Sequence, residues 1–101
     1  MARRVNIAGH DYKVHVVKDV AETARSLGYG EVKRKEKLMG FCAFSRKIIV
    51  LDAGLSPKAL ASTFLHEAIH ATAPELGEPI VLRLEDAIGR ILWRQGWRPD
   101  L

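Results

Sequence analysis

The sequence predicts an α+β fold: a small twisted β-sheet with an N-terminal helix, then two helices in succession. Three observations carry this. Short stretches with the period of a strand fall before residue 54, a capped helical stripe interrupts them at 19–28, and two long helical patterns fill 56–96. At 101 residues the chain suffices for one modest core, so 1–101 reads as a single domain. No internal repeat or low-complexity segment divides it.

Residues 4–17, RVNIAGHDYKVHVV, read as two strands around a turn at Gly9, His10 and Asp11. In the second, Tyr12, Val14 and Val16 alternate with Lys13 and His15, the pattern of a half-buried strand. A helix follows over 19–28: Asp19 caps it, Val20, Ala24 and Leu27 share a face, and Gly28 stops it. Residues 29–54 have no helical stripe. Their apolar runs, Phe41 to Phe44 and Ile48 to Leu51, predict a hairpin turned by Ser45, Arg46 and Lys47. The run KRKEK at 33–37 reads as a solvated edge stretch whose charges discourage sheet-to-sheet pairing; a nucleic-acid patch is the other reading. Ser56 as N-cap and Pro57 at the first helical position then open a helix that should end near Pro74. After a loop PELGEP, punctuated by Gly77 and Pro79, the last helix runs over 80–96 to Gly96.

Composition narrows the function classes. With 48% apolar residues the chain is globular rather than disordered. No apolar run approaches the roughly 20 residues that cross a bilayer, and MARRVNIAGHDYK lacks the core of a secretory signal, so a membrane partner is not expected. Cys42 is the single cysteine, which excludes an internal disulfide and a cysteine-based zinc cage and fits a reducing cytoplasm. A net charge of +4 reads as surface solvation rather than as a nucleic-acid footprint.

The chemistry is concentrated in FLHEAIH, residues 64–70. In a helix, Leu60, Phe64, Leu65, Ala68, Ile69 and Ala71 spread around most of the circumference, leaving one strip of Ser62, Thr63, His66, Glu67 and His70. A helix apolar nearly all round belongs in the interior, so its polar strip must face a cleft, an ion or buried partners. His66 and His70 are one turn apart and can reach one metal; Glu67, about 100° round the helix, can reach a water held there. A catalytic zinc wants a third protein ligand. On the returning helix Val81, Leu84, Ile88, Ile91 and Leu92 form the apolar stripe, and Glu85 falls at its edge while Asp86 points to solvent. Gly89 would let the two helices approach closely. The expected set is His66, His70 and Glu85 on Zn²⁺, with Glu67 as general base.

Those residues, HEAIH with a glutamate on the next helix, resemble the gluzincin group of zinc metallopeptidases, and most of all its single-domain minigluzincins. The chain is also similar to short metallopeptidase-like proteins of phages and mobile elements. The likeness covers about residues 40–95, with IIVLD at 48–52 as the strand before the HExxH helix and RLEDAIGRIL at 83–92 on the returning helix. It implies a zincin-like fold and hydrolysis of a peptide or protein substrate by a zinc-bound water. His66, His70 and Glu85 would be the ligands and Glu67 the base and acid. Two departures are visible. No Tyr or His follows His70, so an oxyanion donor would come from His10, Tyr12, His15 or Tyr29, and Gly89 stands where an asparagine is common.

The residues admit two other readings. One is a pair of core histidines satisfied by hydrogen bonds, with Glu67 on the surface; it leaves unexplained why three ionisable groups share the one polar strip. The other is a non-catalytic zinc-binding interaction module associated with nucleic acid. Glu67 discriminates, because a structural metal site has no use for it.

Overall fold

Alternation in the first residues builds a hairpin, and it is here that the chain enters the core. β1 (Ala2–Ile7) pairs antiparallel with β2 (His10–Val17) in a computed structural model that describes residues 2–29 and 39–101. The turn lies at Ala8 and Gly9, whose φ values of 51° and 86° match the hairpin turn suited to the right-handed twist of strands. The expected turn at Gly9 to Asp11 is therefore corrected. Asn6 Oδ1 accepts the Gly9 N–H at 3.2 Å, closing the turn before His10, so His10 and Asp11 already belong to β2.

Asp19 caps α1 (Val20–Ser26), its carboxylate accepting the Glu22 N–H at 3.0 Å. The expected second hairpin is present: β3 (Gly40–Ala43), a 3₁₀ turn over Phe44–Arg46, then β4 (Ile48–Asp52), with Lys47 in the left-handed region between them. The run 33–37 lies outside the described residues. β4 pairs parallel with β2, giving the mixed order β1-β2-β4-β3.

β4 is apolar without alternation because it is covered on both faces. Ile49 and Leu51 join Ile7, Tyr12, Val14 and Phe64 in the main core, beneath α2 (Pro57–Thr72). Val50, one residue out of step, points to the other face, where α1 touches β3 and β4 and buries Val20 and Ala24. Ser56 caps α2 by accepting the Ala59 N–H, as its sequence predicts.

α3 (Glu78–Arg94) starts two residues earlier than expected. Gly77 is its N-cap, and Pro79 lies inside the first turn, where its fixed φ favours the helix and its missing N–H costs nothing. Two burial expectations also change. Of the α3 stripe only Val81 is fully buried, while Ile88 and Ile91 are 40% and 61% exposed. In α2 only Ala61, Thr63, Phe64 and Glu67 are buried. A chain this short offers one sheet face and one neighbouring helix to pack against, which cannot cover two helices all round. Among the described residues no helix is long and apolar enough to cross a membrane.

Candidate metal centre

The i, i+4 spacing puts His66 and His70 on one face of α2, with ring centroids 4.8 Å apart and the rings edge to face. Their Nε2 atoms are 3.1 Å from each other. The reversal after α2 brings in Glu78, the first residue of α3. Its Oε1 lies 2.8 Å from His66 Nε2 and its Oε2 3.1 Å from His70 Nε2. Glu85, two turns further along α3, reaches the same imidazole from the other side, its Oε1 3.0 Å from His66 Nδ1.

The structure thus brings His66, His70 and Glu85 together, but Glu85 meets the ring at Nδ1, away from the convergence of the Nε2 atoms. The carboxylate at that convergence is Glu78, which the sequence reading passed over. A signal for it existed. Gly77-Glu78-Pro79 is a helix start with proline in the first turn, and placing Glu78 in the helix rather than in a loop turns it towards α2.

His66, His70 and Glu78 form a group that can hold a metal ion, with one donor atom from each lying within 4.8 Å of the others. Zinc bound by nitrogen and oxygen at about 2.0–2.2 Å in a tetrahedron spaces its ligands about 3.3–3.6 Å apart. The contacts here, 2.8–3.1 Å, need open by only a few tenths of an ångström. Hydrogen counting points the same way. A neutral imidazole donates from one nitrogen only, so a His66 that donates from Nδ1 to Glu85 presents a lone pair at Nε2. That lone pair then faces Glu78 and His70, an arrangement that calls for a cation, either added protons or a metal.

Glu67 sits beside this group on the buried side of α2, only 7% exposed. Burial pushes its carboxyl up to about 7; His66 opposes this, and the neighbouring Glu78 and Glu85 raise it further. Glu67, His66, His70 and Glu78 line a cleft of about 310 Å³ whose opposite wall is Gly40, Phe41, Cys42 and Phe44 from the β3 hairpin. Cys42 is half-buried there. Burial, and then the Glu67 carboxylate, push its thiol up to about 12, which makes it a small packing residue rather than a nucleophile.

None of the four expected oxyanion donors lines the cleft among the described residues. Tyr12 is in the core at 2% exposure, and the Tyr29 hydroxyl is engaged with Ser45 Oγ at 3.2 Å. Asp86 is on the solvent side as expected, paired with Arg90.

Comparison with known proteins returns nothing to set beside this geometry: no family model, no curated protein and no solved structure matches the chain. What fold and site define on their own is an α+β protein with, among the described residues, a four-stranded mixed sheet, three helices and a His-His-Glu group that could hold a metal ion.

Proposed function

We propose that this chain is a zinc-dependent metallopeptidase, gluzincin-like in its site and zincin-like in its fold, acting on a peptide or protein substrate. The observation that carries the reading is the meeting of two imidazole Nε2 atoms and one carboxylate beside a second, buried carboxylate. A zinc ion held there would act as a Lewis acid, polarising a peptide carbonyl and making a water acidic enough to lose a proton near neutral pH.

His66 and His70 would hold the ion, their Nε2 atoms being the ones that converge. The geometry favours Glu78 as third ligand, with Glu85 accepting from His66 Nδ1, fixing the ring and its tautomer as carboxylates behind metal-bound histidines do. The assignment expected from the sequence, Glu85 itself on the metal, is the competing version. Glu67 would serve as general base towards the attacking water and as general acid towards the leaving amine. Its place beside the histidines, on the buried wall of the cleft, is what suits it to that transfer. Phe41 and Phe44 give the cleft an apolar wall for substrate side chains. The single half-buried cysteine goes with a cytoplasmic location.

The test is metal content and hydrolysis measured together. The native protein should carry about one zinc per chain and cleave an unstructured protein such as casein. Glu67→Gln should keep the zinc and lose the cleavage, and His66→Ala should lose both. Zinc retained with no cleavage in the native protein would leave a metal-binding module without the enzyme. No zinc after reconstitution would remove the proposal altogether.

A further inference from the structure

Further along the groove between α2 and α3, beyond Glu85, lies a second cavity of about 300 Å³. Small-molecule sites begin near this size. Both tryptophans of the chain, Trp93 and Trp97, line it. Trp97 is backed by Phe64 of the core, ring centroids 6.4 Å apart, and Arg98 lies 3.3 Å above the Trp93 ring and donates to the backbone carbonyls of Trp93 and Trp97. The two indoles are therefore held in place rather than free to collapse.

The charges around them do not balance. Lys58, Arg90 and Arg94 reach the cavity, as do Glu85 and Asp86. Asp86 accepts from Arg90 Nε at 2.9 Å, and Glu85 is turned to His66. Lys58 and Arg94 have no carboxylate partner among the described residues. Aromatic walls, a hydroxyl at Ser62 and two unmatched cations select a ligand with a flat apolar body and one negative group. The two acidic side chains on the same wall disfavour a doubly charged phosphate and favour a single carboxylate.

We propose that this cavity is a binding site for an aryl carboxylate, its ring against Trp93 and Trp97 and its carboxylate between Lys58 and Arg94. Two sources share that chemistry: a free aromatic acid, or the C-terminal residue of a peptide ending in Phe. The cavity shares Glu85 with the metal group, so the chain is titrated metal-free and again after zinc is added, and the acid-over-amide preference is expected in both.

Because the cavity holds both tryptophans, intrinsic fluorescence reports on it directly. The full chain is titrated with 3-phenylpropionate, with 3-phenylpropionamide, with adenosine monophosphate, and with a short peptide ending in Phe as free acid or amide. Saturable binding of the free acids, weakened about tenfold or more in the amides and in Lys58→Gln and Arg94→Gln, is the expected result. Both substituted side chains are exposed, and far-UV circular dichroism checks that each variant is folded. Whichever acid binds tighter, phenylpropionate or the peptide, identifies the source. Equal response to acid and amide, affinity unchanged in the variants, no saturable change, or tighter binding of adenosine monophosphate would overturn the assignment.

Discussion

Glu85 Oε1 lies 3.0 Å from His66 Nδ1, while Glu78 Oε1 lies 2.8 Å from Nε2 of the same ring. One imidazole is thus gripped at both nitrogens by two carboxylates of one helix. The two acids are not equivalent: Nε2 also faces His70, and Nδ1 does not.

Around a bound zinc ion that difference would separate their roles. Glu78→Gln should weaken zinc by more than about 100-fold, because it removes a ligand. Glu85→Gln should weaken it by about 10–100-fold, the range for a group that orients a ligand. Competition against a chromogenic chelator measures both. A larger loss in Glu85→Gln would place Glu85 on the metal and Glu78 outside.

Glu67 makes the stability of the metal-free protein depend on pH. Its folded-state pKa of about 7 lies above the unfolded value of 4.5, so the folded form holds its proton longer. The stability this contributes is complete below 4.5 and declines as pH rises to about 7, at up to roughly 1.4 kcal/mol per pH unit. Urea unfolding at a series of pH values should show this slope in the native chain and a flatter profile in Glu67→Gln. Identical slopes in the two proteins would refute the assignment to Glu67.

Two glycines should respond to alanine with opposite signs. A Cβ on Gly40 would lie 2.9 Å from the Val50 carbonyl oxygen and 3.0 Å from Thr63 Cγ2, so Gly40→Ala should cost about 1–3 kcal/mol. On Gly89 the nearest atom would be Leu65 Cδ2 at 3.5 Å, an ordinary contact, and Gly89→Ala should gain up to about 1 kcal/mol from helix propensity. Thermal unfolding of the two variants checks both signs. It also tests the expectation that Gly89 is there for close helix approach, which this spacing does not require.

Cys42 should react slowly. With its thiol pushed up to about 12, alkylation by iodoacetamide at pH 8 should be at least about tenfold slower in the folded protein than in urea. Equal rates would mean the thiol is neither buried nor opposed by Glu67.

Much of this molecule could be read from its residues. The caps Asp19 and Ser56 bonded as their types demand, and the apolar runs 41–44 and 48–51 became a hairpin, with Phe44 falling in its turn rather than its strand. His66 and His70 met because four positions make one helical turn. What escaped depended on context. Ile88 and Ile91 have the pattern of a buried face, yet periodicity carries no information about whether a partner exists to cover it. The parallel pairing of β2 with β4 joins strands distant in sequence, and neither strand's own residues specify it. Glu78 was missed for a smaller reason. A helix that starts two residues earlier puts Glu78 seven positions before Glu85, almost two full turns and so on the same face, which makes a loop residue a member of the site.

Glu78 opens α3, and His70 lies in the last turn of α2, so an ion shared by them would bridge the chain reversal as a clip spans a hinge. The segment 73–77 between them is short and held by few internal bonds, of which Leu76 N–H to the Ala73 carbonyl is one. Its opening would pull the third donor away while leaving the sheet and α2 intact. The centre would therefore be dismantled by a local fluctuation well before global unfolding, and an ion that closes it would act chiefly by suppressing that fluctuation.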